Sequence, residues 1–226
     1  MNEFALVTGY KDTSTWSLRA WLVMRKAGVP FDEIYIRYRL AADKQRLMKL
    51  SPTGKVPLLI HKRPEGDLQV WDSIAIAEYL AERFPERRLW PEDPAARAIA
   101  RSVSAEMHSG FRPLREHLSM DLLGRHPGVG HDGEGVAADI ARIEAMWREC
   151  RERFGERGGG PFLFGGFTIA DAMYAPVATR FRTYAAKLSP LAEAYCQAIF
   201  ADRDFQAWEE AARREKPAAD DLPRKG

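Results

Sequence analysis

The turn Thr13-Ser14-Thr15-Trp16-Ser17 clusters hydroxyl side chains just ahead of a helical run. Hydroxyls in that position ordinarily cap the free N–H groups of a helix. One that points into a cleft instead, beside the positive end of the helix, stabilises a bound thiolate and lowers a thiol's pKa toward neutrality. In such a site the protein supplies no nucleophile; it activates the sulfur of its ligand. Two other places suit a peptide-like ligand. Pro57 opens an apolar strand where it can donate no ladder hydrogen bond. With a cis bond there, the backbone of Val56 turns outward and can pair with a ligand's own peptide; the ordinary alternative is a trans proline at a strand edge. Asp72-Ser73 opens a further helix, either as its cap or as a seat for a carboxylate on the free N–H groups.

These residues need elements to hold them. FALVTGY reads as a first strand, Trp16 to Lys26 as a helix ended by Gly28 and Pro30, and Phe31 to Ile36 as a second strand. A polar helix follows from Ala42 to Leu50. After it come an apolar strand at Val56–Ile60, a hairpin partner at Asp67–Trp71 and a helix through Ile74, Leu80 and Phe84. The order β-α-β-α-β-β-α predicts a mixed sheet with helices packed on it. Pro85, Pro91 and Pro94 punctuate a linker, and from there only helical patterns occur. Ala95–Leu118 and Val136–Phe154 read as two long helices separated by a Gly-rich loop at Gly124–Gly135. Gly155–Gly166 reads as irregular, followed by helix to about Arg214. The fold class is therefore α/β plus all-α. The expected domains are 1–85, a linker at 86–94 and an all-helical domain at 95–226.

Bulk composition excludes several function classes. The 226 residues are 46% hydrophobic and 29% charged, and 34 basic side chains nearly balance 32 acidic ones. No single-sign block calls for nucleic acid or an anionic membrane. The N-terminus lacks the pattern of a signal peptide, and no apolar run reaches the ~20 residues of a membrane span. Cys150 and Cys196 lack the spacing of a metal or redox pair. The expectation is a soluble cytoplasmic protein with a frayed tail, KPAADDLPRKG. No GK[ST] loop, HExxH, CxxC or GxSxG is present, and the five histidines are scattered, so neither metal nor nucleotide is expected.

The segments YKDTSTWSLRAWLVMRKAGVPFDE, LSPTGKVPLL, VWDSIAIAEYLAERFP and GGFTIADAMYAPV together resemble the cytosolic glutathione transferase superfamily, serine-type and zeta-like or of a related bacterial class. The likeness covers nearly the full chain. It implies a thioredoxin-like N-terminal domain, a helical C-terminal domain, glutathione as co-substrate without a metal, and a homodimer. It implies that Val56 pairs through its backbone with the cysteinyl part of glutathione beside a cis Pro57. Asp72 and Ser73 would hold the γ-glutamyl end and Lys55 would reach or lie near the glycyl carboxylate. Ser14 matches the serine that faces the thiol, with Thr15 as the alternative. Thr168 and Asp171 look like the family's buried capping box, a structural pair.

Trp16 stands where the zeta-like pattern has a cysteine, which weakens a maleylacetoacetate isomerase reading. A second substrate is expected between the domains, against Trp16, Met107, His108, Phe111 and Arg112. Spacing puts Met107 and Phe111 on one helical face, with His108 and Arg112 one step round. That substrate is a small hydrophobic or anionic electrophile. The leading reading is a transferase; the alternatives are a non-catalytic glutathione-binding or regulatory protein and a zeta-like isomerase. A thiol-disulfide oxidoreductase is a poor third reading, because the N-terminal half has no cysteine to form the mixed disulfide.

Overall fold

A computed structural model describes residues 2–215. The tail from Lys216, expected to fray, lies outside the described residues. Four strands, β1 (Phe4–Thr8), β2 (Phe31–Tyr35), β3 (Leu58–His61) and β4 (Leu68–Trp71), form one sheet in the order β2-β1-β3-β4. β1 pairs parallel with β2 and antiparallel with β3, and β3 pairs antiparallel with β4. Three helices cover this sheet: α1 (Thr15–Ala27), α2 (Ala41–Leu50) and α3 (Ser73–Arg83). The two-residue period of β1 divides its side chains between two cores. Phe4 and Leu6 join Leu18 and Leu22 of α1 and Ile76 and Leu80 of α3, while Ala5 and Val7 join Leu47 of α2. α1 stops at Gly28, whose positive φ of 68° lets its N–H bond back to the Arg25 carbonyl.

The second half contains α4 (Pro94–Ser109), α5 (Arg112–His117), α6 (Val136–Cys150), α7 (Ile169–Tyr184), α8 (Pro190–Ala201) and α9 (Arg203–Arg214). α7 runs through the centre with almost every residue buried. The βαβαββα order and the helical second half agree with the sequence reading. No described helix is long and apolar enough to cross a membrane.

Two boundaries differ from that reading. The helix expected over 95–118 is broken in two. Gly110 lies so close to the Glu106 carbonyl that a Cβ would meet it at 2.7 Å, and Phe111 turns to a φ of 57°. Pro113 sits in the first turn of α5, where a missing N–H costs nothing. The helix expected to reach Phe154 ends at Cys150 and continues as a π-turn over Arg151–Gly155. There the Arg151 guanidinium donates to the carbonyls of Gly160 and Phe162, drawing the glycine-rich segment inward.

The linker is a short 3-10 turn, Pro85–Arg87, then a stretch to Asp93, whose carboxylate accepts from Ala96 N–H at 2.7 Å and caps α4. Despite the change of fold class, the two halves share one continuous apolar core. Trp21 of α1 meets Trp208 of α9 edge to face at 5.4 Å. The buried Arg19 donates from Nε to the Met173 carbonyl of α7.

Candidate functional site

The first turn of α1, the turn before β3, the end of β4 and the start of α3 converge. They enclose a cavity of about 320 Å³ lined by Trp16, Thr53, Lys55, Val56, Pro57, Trp71, Asp72 and Ser73. The structure thereby brings together all five residues expected to hold glutathione, with Trp16 in the same lining, whereas Ser14 and Thr15, expected to face the thiol, are not among the lining residues. Thr53 and Trp71 were not singled out from sequence. Both adjoin residues that were, but neither has a side chain whose type alone marks a ligand. The Val56–Pro57 peptide bond is cis. A larger cavity of about 530 Å³ at the domain linker is walled by Glu and Arg side chains such as Glu78 and Arg101, which pair with each other at 2.9 Å. It gathers none of the candidate residues.

The start of α3 is shaped for a ligand. Asp72, at a φ of 72°, caps the helix by accepting from Ile74 N–H at 2.9 Å through Oδ1. Its Oδ2 faces Nε2 of His108, 3.3 Å away on α4 of the other half. Ser73 is 1% exposed, and its hydroxyl has no hydrogen-bond partner. Buried hydroxyls are nearly always paired. One left open beside a helix N-terminus and Lys55 is a fitting place for a carboxylate. Nδ1 of His108 is likewise buried without a partner.

At the start of α1 the hydroxyls divide the work. Ser14 is the N-cap, its Oγ accepting from Ser17 N–H at 3.4 Å and donating to Ser17 Oγ at 2.8 Å. Ser17 Oγ in turn accepts from Gly9 N–H at 3.0 Å, tying the strand end to the helix. Thr15 is half-buried, and no hydrogen bond joins its hydroxyl to any described residue. Tyr10 packs edge to face on Tyr38 at 4.9 Å and against Tyr35 at 6.1 Å.

The helix expected to carry Met107, His108, Phe111 and Arg112 is interrupted at Gly110, so the four are not arranged by one helical spacing. Met107 and Phe111 are buried in the core, and Arg112 lies 84% exposed in an ion pair with Glu116. Of that set only Trp16 lines the cavity, and only His108 reaches one of its residues, Asp72. The cations near Trp16 are different ones. The guanidiniums of Arg19 and Arg115 lie over its ring at 4.6 and 5.2 Å, and His108 meets it edge-on at 5.2 Å. Arg115 donates to the carbonyls of Met107 and His108, capping α4, while its Nε and the Nη1 of Arg19 have no partner. Burial, and then repulsion from Arg115 and Arg180, lowers the Arg19 pKa well below its ordinary value. Burial lowers Arg115 as well. Spacing within the sequence gave no signal for this pairing, since Arg19 and Arg115 meet only through the tertiary fold.

Family models for the glutathione S-transferase N-terminal domain and C-terminal domain match residues 13–83 and 133–214. Maleylacetoacetate isomerase of Pseudomonas aeruginosa is 30% identical over 68% of this chain and 74% of its own length. The Mus musculus protein of the same name is 31% identical over 82% and 81%. The chain belongs to the cytosolic glutathione transferase superfamily, and it is zeta-like. Among solved structures, a Burkholderia glutathione transferase homologue with bound glutathione superposes with a TM-score of 0.68 at 23% identity, over 94% of this chain and 99% of its own. The maleylacetoacetate isomerase of Anaeromyxobacter dehalogenans, also with glutathione in its active site, gives 0.68 at 24% identity, over 96% and 100%. The thioredoxin-like and all-helical arrangement of this glutathione transferase fold therefore extends over nearly the whole chain.

Proposed function

We propose that the protein is an enzyme that binds glutathione in the cavity over β3 and α3 and transfers its thiolate to a small anionic electrophile. The observation that carries this reading is the buried, unpaired Ser73 hydroxyl at the start of α3, grouped with Lys55, Val56, Pro57 and Asp72 around one cavity. In this reading Ser73 and the first N–H groups of α3 take the γ-glutamyl carboxylate. Lys55 attracts the glycyl carboxylate, and the backbone of Val56 pairs with the cysteinyl unit.

Ser14 then activates the sulfur. Its lone pair stays with Ser17 N–H, and its proton swings from Ser17 Oγ to the thiolate. A neutral O–H···O bond is exchanged for a charge-assisted one, which holds the thiol ionised. Thr15, whose hydroxyl is uncommitted, is the alternative donor. The thiolate's electron pair forms a C–S bond, and the displaced pair departs with a leaving group or enters a conjugated carbonyl of the electrophile. Arg19 and Arg115 around Trp16 favour an electrophile that carries a carboxylate. An Anaeromyxobacter dehalogenans maleylacetoacetate isomerase of the same fold holds dicarboxyethyl glutathione and citrate in its active site, ligands of that charge.

Two wider properties complete the proposal: a homodimer, and a reducing cytoplasm as the setting. Cys150 and Cys196 are buried free thiols that burial pushes up to about 12, which suits that compartment. The test is calorimetric titration with glutathione together with a pH series of thiolate absorbance in the complex. Binding with a thiol pKa well below that of free glutathione supports the enzyme. Binding without a shift makes the protein a glutathione carrier or regulator, and the closed Ser14–Ser17 bond is the feature that favours this second reading. An absence of binding overturns both.

A further inference from the structure

The loop that carries Ser14 is held from outside its own domain. The helical half grips it at three backbone groups in a row. Lys11 N–H donates to Glu215 Oε2 at 2.9 Å, the Lys11 carbonyl accepts from Trp208 Nε1 at 2.9 Å, and the Asp12 carbonyl accepts from Leu122 N–H at 2.9 Å. Glu215, at the end of α9, also accepts from Tyr35 OH at 3.2 Å and lies 3.3 Å from the Lys11 ammonium. That ammonium is nearly buried and has a second carboxylate, Glu33, at 2.6 Å. The loop then closes on itself through Ser14 N–H donating to the Tyr10 carbonyl at 2.8 Å. The loop leading to Ser14 and Thr15 is thus anchored at Lys11 and Asp12, and Glu215 is one of the groups that hold Lys11.

We propose that Glu215 is a positioning residue for the thiol-activating hydroxyls, through which the end of α9 governs the reactivity of a sulfur bound in the other domain. This rests on the glutathione reading above. The physical ground is that a loop at a sheet edge keeps one conformation only if its backbone groups are tied down. A hydroxyl must in turn be held at hydrogen-bond distance from a thiolate to shift its pKa. Glu215 makes a clean probe because its removal leaves Lys11 paired with Glu33, so no buried ammonium is stranded.

Glu215→Ala and Glu215→Gln are compared with the parent protein by amide hydrogen exchange of residues 10–15, by the thiol pKa in the glutathione complex and by steady-state kinetics. For Glu215→Ala the expected result is exchange about tenfold faster in the loop and a bound-thiol pKa raised by about one unit. The same variant should lose about tenfold in kcat near neutral pH, recover at higher pH where the thiol ionises unaided, and keep KM for glutathione within about twofold. The glutamine variant, which still accepts from Lys11 N–H and Tyr35 OH, should recover most of each property. A folded alanine variant with parental exchange and thiol pKa overturns the proposal. So does a loss shared equally by KM, kcat and melting temperature that glutamine does not rescue. Should alanine prevent folding, Trp208→Phe removes the neighbouring tie while keeping the ring, and the same readouts apply. If the parent protein shows no lowered thiol pKa, the glutathione reading has failed, and the exchange comparison alone decides whether Glu215 orders the loop.

Discussion

Helix starts in this molecule use the same residue types to two opposite ends. At the start of α7, Thr168 and Asp171 form a closed box. The Asp171 carboxylate accepts from Thr168 N–H at 2.7 Å, Thr168 Oγ1 at 3.0 Å, Leu163 N–H at 3.1 Å and Tyr195 OH at 3.1 Å. All four of these donors are satisfied by the one carboxylate. At the starts of α1 and α3, by contrast, the hydroxyls of Thr15 and Ser73 have no hydrogen-bond partner among the described residues, and Ser14 gives its proton only to another hydroxyl. The contrast teaches that a Ser, Thr or Asp beside a helix N-terminus is scaffold when its bonds close internally. It is a candidate site when they stay open. Residue type alone does not distinguish the two.

Substitutions at the two kinds of helix start sharpen this comparison. The largest effect belongs to the closed box. Asp171→Ala strands four buried donors, so the protein should lose about 4 kcal/mol of stability and melt roughly 10 °C lower in calorimetry. The same box carries a pH signature. Burial pushes the Asp171 carboxyl from its ordinary 3.8 up to about 6, so between those values the folded protein holds a proton that the unfolded chain has lost. The contribution of this group to stability is therefore largest below that window and falls as pH rises through it. Asp171→Asn should lack that slope in a series of denaturant titrations.

At the open starts the expected order is reversed, with function lost and most of the stability kept. Ser14→Ala should lower kcat/KM for conjugation about 100-fold and raise the bound-thiol pKa, while loss of the α1 cap costs about 1 kcal/mol and lowers the melting temperature by only about 2–4 °C. If Ser14→Ala is silent and Thr15→Ala is not, the activating hydroxyl is the second one. Should the double variant keep full activity, neither activates the sulfur. The smallest effect is expected at α3, where Ser73→Ala should weaken glutathione binding about tenfold in calorimetry without lowering stability. A drop in melting temperature equal to that of Asp171→Ala would make Ser73 scaffold and erase the distinction.

How much of this was legible beforehand varied with the range of the contact. The strand at Phe4–Thr8 and its packing helix showed as local period and stop signals, because alternation and capping are written in neighbouring residues. The glutathione-site candidates showed as short motifs, SPTGKVP and Asp72-Ser73, each working through its own local backbone. The unbroken helix expected through 107–112 did not form. A helical spacing argument assumes an unbroken helix, and the close approach of Gly110 to the Glu106 carbonyl, with Phe111 in the left-handed region, breaks it. His108 was found, but its partner Asp72 lies across the domain junction, where no local pattern reports it.

The sequence by itself therefore determined the order of elements, the change from mixed α/β to all-helical structure near residue 85, and the short motifs that supply six of the residues lining one cavity, since each depends on interactions within a few positions along the chain. Only the tertiary structure decided which hydroxyls stay open, which cations flank Trp16, and that the Ser14 loop is gripped from α9. These depend on groups brought together from distant parts of the chain. Their pairing follows from packing one shared core, in which burial forces each polar group to find a partner or to remain available for a ligand.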